Sequence, residues 1–331
     1  MTRVGRGVAA AMALLLLAGC GAAPATSPPA DAPGAPPAAL PSATTPGTPA
    51  LDPRPGGTLT DVPYAGTDPT RQALDVHFPA GRGPWPVVVF VHGGSWAFGD
   101  KAMPAGTGYG ALREALLAQG WAVASVQYRF SAQARFPAQL HDVKAAVRFL
   151  RAHADELALD ADRVALAGDS AGAHLAQLTA LTADEPAWEG AEGVAGPPSS
   201  ARAVVSLYGV SDLTNLGVDL TEAGCPLPAA GTAVVAALLG ADPTRGAGLR
   251  AAVAASPVSH AAGRRTPMLL VHGTEDCVVP PAQSRRMASA LAAAGGPVQL
   301  ELITAGHIDG RLYSPEVLQG LVVPFLARVL A

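Results

Sequence analysis

Val164-Ala-Leu-Ala-Gly-Asp-Ser-Ala-Gly-Ala-His-Leu-Ala176 decides how this chain reads. Residues 164–167 form a short apolar run led by a β-branched valine, the composition of a buried strand. Gly168-Asp-Ser-Ala-Gly172 follows at once, and residues 174–181 read as a helix. Strand, G-x-S-x-G, helix is the context in which the pentapeptide presents a nucleophilic serine on a sharp turn. Such a turn leaves no room for side chains two residues either side of the serine, and Gly168 and Gly172 stand there. Ala171 keeps the next position small. Ser170 then sits at a helix N-terminus, where free N–H groups stabilise negative charge.

Working outward, the same strand-then-helix rhythm recurs. Val87-Val-Val-Phe-Val91 is a continuous apolar run, as expected of a strand buried on both faces of a parallel sheet. Before it, residues 59–64 and 73–78 make an opening hairpin around the turn cluster Gly66-Thr-Asp-Pro69. After it come a helix over 109–119, a strand over 121–126, and a helix over 137–152 with Pro137 in its first turn. Asp160 begins the turn into the central strand. Strands over 204–208, 268–271 and 298–303 and a closing helix over 315–330 complete the pattern. The fold class is therefore α/β, a doubly wound, mostly parallel sheet with helices on both faces. Residues 184–200 and 211–262 break the rhythm, being rich in Gly, Pro and Ala. They read as cap or wall insertions over the site, where loops set substrate choice.

A serine hydroxyl needs a base to take its proton and a carboxylate to orient that base. The strand at 268–271 runs into His272-Gly-Thr-Glu-Asp276, and the strand at 298–303 runs into Ala305-Gly-His307. The order Ser170, Asp276, His307 is that of serine hydrolases built on a doubly wound sheet. Glu275 is the rival acid. His272 and His174 read as packing residues, His260 falls in a wall segment, and His77, His141 and His153 lie away from the sheet's active edge. The oxyanion requires converging N–H donors: one from Ala171, the others from His92-Gly-Gly-Ser-Trp96, where paired glycines let the backbone approach a ligand.

The N-terminus is an address. Arg3 and Arg6 precede an apolar run over 8–18, too short to span a bilayer, that ends in Leu17-Ala-Gly-Cys20. This resembles the lipobox of bacterial lipoproteins, which implies a signal peptide over 1–19 and lipidation of Cys20. The rival reading is a secreted protein cut slightly later. Cleavage takes basic residues from 22 to 20 against 26 acidic ones, a mature charge near −6. Residues 20–57, dominated by Pro, Ala, Thr, Ser and Gly, read as a disordered tether, and 58–331 as one enzymatic domain. The formal charge of −4 offers no basic field for nucleic acid. No later segment is apolar and long enough to cross a membrane, and nothing in the pattern specifies an oligomer. With Cys20 lipidated, Cys225 and Cys277 remain as an even pair in an oxidising compartment, and a disulfide between them is expected. No His/Cys cluster has metal-ligand spacing, and no cofactor is implied.

Six segments taken together carry a family resemblance: Val91-His-Gly-Gly-Ser-Trp, Gln127-Tyr-Arg, Phe136-Pro-Ala-Gln-Leu-His-Asp142, Gly168-Asp-Ser-Ala-Gly172, Ala255-Ser-Pro257 and His272-Gly-Thr-Glu-Asp276. From about residue 58 to 330 the chain resembles the α/β-hydrolase carboxylesterases. It looks closest to the bacterial group related to hormone-sensitive lipase, feruloyl-esterase-like proteins and kynurenine formamidase. H-G-G-S-W departs from the H-G-G-G of the hormone-sensitive-lipase core and sides with the H-G-G-x-W relatives. The resemblance implies Ser170 as nucleophile with Asp276 and His307, the N–H groups of Gly94, Ser95 and Ala171 as oxyanion hole, and a small-molecule ester as substrate. Arg129 and Asp142 also match and read as a structural ion pair. The expected activity is short-acyl or small aromatic ester hydrolysis outside the cytoplasm. The alternatives are amide or formamide hydrolysis by the same machinery and, remotely, a non-catalytic binding lipoprotein.

Overall fold

The computed structural model describes residues 51–331, apart from 67, 69, 184, 227 and 264. The expected signal peptide, Cys20 and the tether as far as residue 50 lie outside the described residues. The end of that tether belongs to the fold. Leu51 packs against the core and the Gly56 N–H donates to the Pro79 carbonyl at 3.0 Å, so ordered chain begins before residue 58.

Strands β1 (Thr58–Pro63), β2 (Ala73–His77), β3 (Trp85–Val91), β4 (Ala122–Val126), β5 (Leu159–Asp169), β6 (Val204–Leu207), β7 (Met268–Gly273) and β8 (Val298–Ile303) form one sheet. Their order is β1-β2-β4-β3-β5-β6-β7-β8. β1 and β2 pair antiparallel, as do β2 and β4, and every other pairing is parallel. This is the mostly parallel sheet that the alternation implied.

The apolar runs are continuous because both faces are covered. Along β3, Val87 and Val89 join one buried cluster while Val88 and Phe90 join another. Val164 and Leu166 alternate with Ala165 and Ala167 in β5 in the same way, as a period of two requires. One face is covered by α2 (Ala138–Ala152), α3 (Ser170–Leu181) and α7 (Ala282–Ala293), through Val147, Leu150, Leu181, Met287 and Leu291. The other is covered by α1 (Gly108–Leu117) and the closing helix, through Leu112, Leu116, Phe325 and Leu326. Thr107 caps α1, its hydroxyl accepting from the Gly110 N–H at 3.1 Å.

Several boundaries differ from the sequence reading. Pro137 is the N-cap of α2, one place before the first turn. β5 starts at Leu159, and Asp160 makes its turn inside the strand, accepting from the N–H groups of Asp162 and Arg163 at 3.0 and 3.2 Å. The closing helix is interrupted: a helical turn at Pro315–Val317 and a π turn at Leu318–Val322 precede α8 (Val323–Leu330).

The segment 211–262 carries α4 (Leu216–Glu222), α5 (Pro228–Leu239) and α6 (Gly246–Ala254). Leu216, Leu220, Val235, Leu238 and Ala252 from these helices share a third buried cluster with Trp96, Ala171 and Leu175. The cap thus rests on the start of α3 and on the loop after β3. Ion pairs hold the other insertion, 184–200. Glu189 meets the buried Lys144 Nζ at 2.8 Å and Arg148 at 2.9 Å, and Glu192 meets Arg129 at 2.9 Å. Arg129 also pairs with the fully buried Asp142 at 2.7 Å, the ion pair the sequence suggested.

Candidate active site

Ser170 stands where β5 turns into α3, with φ of +50°. A non-glycine residue there is strained and stays only if its surroundings hold it. Close packing does so. A Cβ on Gly172 would overlap the carbonyl oxygens of Val91 and His92, and one on Gly168 would lie 2.7 Å from the Gly172 carbonyl. Both glycines are therefore demanded by backbone approach across β3, β5 and α3. α3 begins at Ser170, four residues earlier than its composition suggests, which puts the Ala171 N–H in the first turn without an intrahelical partner.

The ends of β7 and β8 bring the other two groups. His307 Nε2 lies 3.1 Å from Ser170 Oγ, and His307 Nδ1 lies 2.6 Å from Asp276 Oδ2. Asp276 Oδ1 accepts from the N–H groups of Val278 and Val279 at 2.8 and 2.9 Å, so the carboxylate cannot turn. Burial opposes its charge, but hydrogen bonds from His272 and His307 outweigh burial and hold the carboxyl well below the usual carboxylate range. Glu275 is exposed, and its N–H donates to the Ala305 carbonyl at 2.9 Å. His272 does more than pack. Its Nε2 is 2.8 Å from the Val279 carbonyl and 3.4 Å from Asp276 Oδ2, and its Nδ1 is 2.6 Å from Ser284 Oγ. That makes Nε2 the protonated nitrogen and His272 a second support for the acid.

The loop after β3 turns through three consecutive left-handed residues: Gly94 at φ +112°, Ser95 at +53° and Trp96 at +56°. A Cβ on Gly94 would overlap the Phe98 carbonyl, so only glycine fits. Successive amides in such a turn form a concave, anion-binding nest. Gly93 adopts no left-handed angle. Its N–H donates to Asp169 Oδ1 at 2.7 Å, and a Cβ there would lie 2.6 Å from Asp169 Oδ2.

Asp169, buried inside the pentapeptide, organises what the sequence reading missed. Its Oδ1 also accepts from Tyr109 Oη at 2.8 Å and its Oδ2 from Tyr208 Oη at 3.2 Å. Tyr208 Oη lies 2.6 Å from Tyr313 Oη, and the Tyr208 ring meets that of His307 edge to face at 4.8 Å. One carboxylate thus ties the loop after β3 to the aromatic wall beside His307. Burial pushes the Asp169 carboxyl up to about 6 from the usual 3.8, against the hydrogen bonds from Tyr109 and Gly93. The folded state then binds this proton more tightly than the unfolded chain. Its contribution to stability is complete below about pH 4 and is lost as pH rises through about 6, roughly 3 kcal/mol in all. Asp169→Asn is expected to remove that component. Urea midpoints at pH 4 to 7 should fall less steeply in the variant than in the wild type.

Comparison with known proteins places the chain. A family model, BD-FAE, matches residues 74–291, well over half of the sequence. The chain belongs to the BD-FAE family. Among curated relatives, Esterase LipC of Mycobacterium tuberculosis is 34% identical over 245 residues, covering 70% of this chain and 56% of LipC. Esterase LipQ of the same organism is 32% identical over 253 residues, covering 75% and 56%. The BD-FAE chain therefore spans about half the length of the curated relatives it matches. Among solved structures, a truncated carbohydrate esterase from gut microbiota superposes with a TM-score of 0.71 at 24% identity, covering 84% of this chain and 99% of that one. The Est2 esterase of Thermogutta terrifontis gives 0.64 at 24% identity, covering 86% and 94%. At these identities the superpositions show the α/β-hydrolase fold.

Two further links in this BD-FAE chain tie the cap to the site. Burial lowers His174 to about 4, so the ring is neutral. Its Nε2 lies 2.8 Å from the Ala255 carbonyl and must carry the proton, which leaves Nδ1 to accept from the Trp96 indole N–H at 3.2 Å. His174 thereby bridges the left-handed loop, α3 and the cap. The second link is covalent, a disulfide between Cys225, just after α4, and Cys277, next to Asp276. It closes a loop of 52 residues that contains α5 and α6, and the chain-entropy relation gives such a closure about 4 kcal/mol. Reduction is expected to lower the urea midpoint by a corresponding amount and to weaken substrate binding before the fold is lost. Unfolding curves with and without dithiothreitol measure it, and two free thiols in the unreduced protein would contradict the bond. Among the described residues no group of three or more His, Cys, Asp or Glu side chains is arranged to hold a metal ion.

Proposed function

We propose that the protein is a serine carboxylic-ester hydrolase working through an acyl-enzyme. The carrying observation is the chain of distances from Ser170 Oγ to His307 Nε2, 3.1 Å, and from His307 Nδ1 to Asp276 Oδ2, 2.6 Å. Ser170 attacks the ester carbonyl while His307 takes its proton. Asp276 fixes the Nδ1–H tautomer and balances the imidazolium. The N–H groups of Gly94, Ser95 and Ala171 receive the oxyanion. His307 then protonates the departing alcohol, and water repeats the sequence on the acyl-enzyme to release the acid. The esterase names of LipC and LipQ support the reaction class.

The reading extends to short-acyl or small aromatic esters. Its support is the cap: Leu216, Val235 and Leu238 pack in the same buried cluster as Ala171 and Trp96, which brings apolar side chains of the cap helices close to the nucleophile's neighbour. It also extends to export, with cleavage before Cys20 and a lipid anchor there, on the support of the Arg3/Arg6, residue 8–18 and Leu17-Ala-Gly-Cys20 pattern.

A p-nitrophenyl ester series from acetate to palmitate, combined with a fluorophosphonate trap, tests this. Short chains should be preferred, and inactivation should be stoichiometric with the adduct on the peptide containing Ser170. A palmitate preference would overturn the short-acyl reading, and activity that survives complete labelling of Ser170 would overturn the mechanism.

A further inference from the structure

Among the described residues six large apolar side chains are exposed, and their distribution is uneven. Val218, Leu249 and Val253 lie on the cap helices α4 and α6. The other three flank the candidate catalytic groups: Phe98 at 49% exposure, Val278 at 39% and Ile308 at 65%. Phe98 donates its N–H to the Gly94 carbonyl at 3.0 Å, and Val278 donates its own to Asp276 Oδ1 at 2.8 Å. Ile308 directly follows His307.

Ile308 is the least explicable by folding alone. Its φ is +56°, a left-handed angle at which a β-branched side chain is an outlier. Glycine or asparagine would hold that turn with less strain. Nor does the side chain repay the strain by burial, since it is the most exposed of the six. The neighbouring charges give it no polar role, because Asp309 and Arg311 pair with each other at 2.6 Å. Strain kept at an exposed position beside a proton-transfer group points to a contact made with substrate.

The chemistry says which part of the substrate. A base that protonates the leaving oxygen must lie within hydrogen-bond reach of it. The alcohol half of an ester on Ser170 therefore leaves past His307, while the carbonyl oxygen points toward the Gly94–Ser95 turn. We propose that Ile308, the residue after His307, forms the subsite for the leaving alcohol, and that this alcohol is apolar, an alkyl or aryl group. The inference rests on the ester-hydrolase reading and adds to it the identity of the alcohol half.

The test holds the acyl group fixed. Ethyl, butyl and hexyl acetate have leaving alcohols of similar acidity and differ in apolar length. In the wild type kcat/KM should rise about tenfold or more from ethyl to hexyl, through KM. Ile308→Asn should flatten that rise while leaving the unfolding midpoint unchanged or higher. Ile308→Val should retain most of the rise. A wild-type series that is flat, or the same slope in Ile308→Asn, would overturn the subsite while leaving ester hydrolysis intact. Wild-type hydrolysis of these acetates that Ser170→Ala leaves unchanged would instead remove the parent reading, and this one with it.

Discussion

Ser170→Ala is expected to lower kcat/KM for p-nitrophenyl acetate by about 10⁵-fold, nearly all of it in kcat. The size follows from what is removed. Without Oγ no acyl-enzyme forms, and His307 is left 3.1 Å from nothing it can deprotonate. What remains is ground-state binding and the oxyanion donors, which act on a water attack that nothing positions. The fold should be indifferent. The described bond of Oγ is to His307, so no buried backbone group loses a partner, and alanine carries the same left-handed strain at φ +50°. Circular dichroism and the unfolding midpoint should match the wild type. A loss of activity accompanied by a fallen midpoint would mean that the elbow had collapsed, and a variant retaining a tenth of wild-type activity would displace Ser170 as nucleophile.

What the sequence disclosed divides along a physical line. β3 was legible because Val87 to Val91 alternate between two covered faces, leaving no polar residue to interrupt the run. The elbow was legible because backbone approach excludes side chains at 168 and 172, a constraint written directly as glycine. The three groups now within hydrogen-bond distance each follow a strand, so their order could be read from strand endings. The Asp169 network could not. Tyr109, Tyr208 and Tyr313 come from α1, the end of β6 and the turn before the closing helix, and only the sheet order brings the first two to one carboxylate and the third to Tyr208. The signal was present in one place, an acid lodged in a buried pentapeptide, where an unpaired charge would be too costly to keep. The cap helices were hidden for another reason. α5 reads Pro-Ala-Ala-Gly-Thr-Ala-Val-Val-Ala-Ala-Leu-Leu, so periodicity marks no face, and its packing partners lie in α4 and the loop after β3. The left-handed angle at Ile308 runs against residue preference, and sequence reasoning has no way to anticipate that.

Asp276→Asn is the second large effect, about 10⁴-fold in kcat, and here geometry dictates the outcome more tightly than charge does. The N–H groups of Val278 and Val279 both donate to Oδ1, so an asparagine at 276 must keep its oxygen there. Its amide nitrogen is then forced into the place of Oδ2, facing His307 Nδ1 at 2.6 Å and His272 Nε2 at 3.4 Å. Two donors cannot meet. His307 escapes by presenting a bare Nδ1, which moves its proton to Nε2, the nitrogen that has to accept from Ser170. The base is thereby held in the tautomer that cannot act as one. Because the ionised carboxylate is held so low, no accessible acidity should reproduce this state in the wild type, so an acid limb in the wild-type pH profile belongs to another group. Glu275→Gln is the matched control: that side chain is exposed, its backbone bond to Ala305 is untouched, and kcat should not change. If instead Glu275→Gln carried the loss and Asp276→Asn were mild, the acid would have been assigned to the wrong one of two adjacent carboxylates. The disulfide at Cys277 would then be anchoring the cap to a residue with a purely structural role.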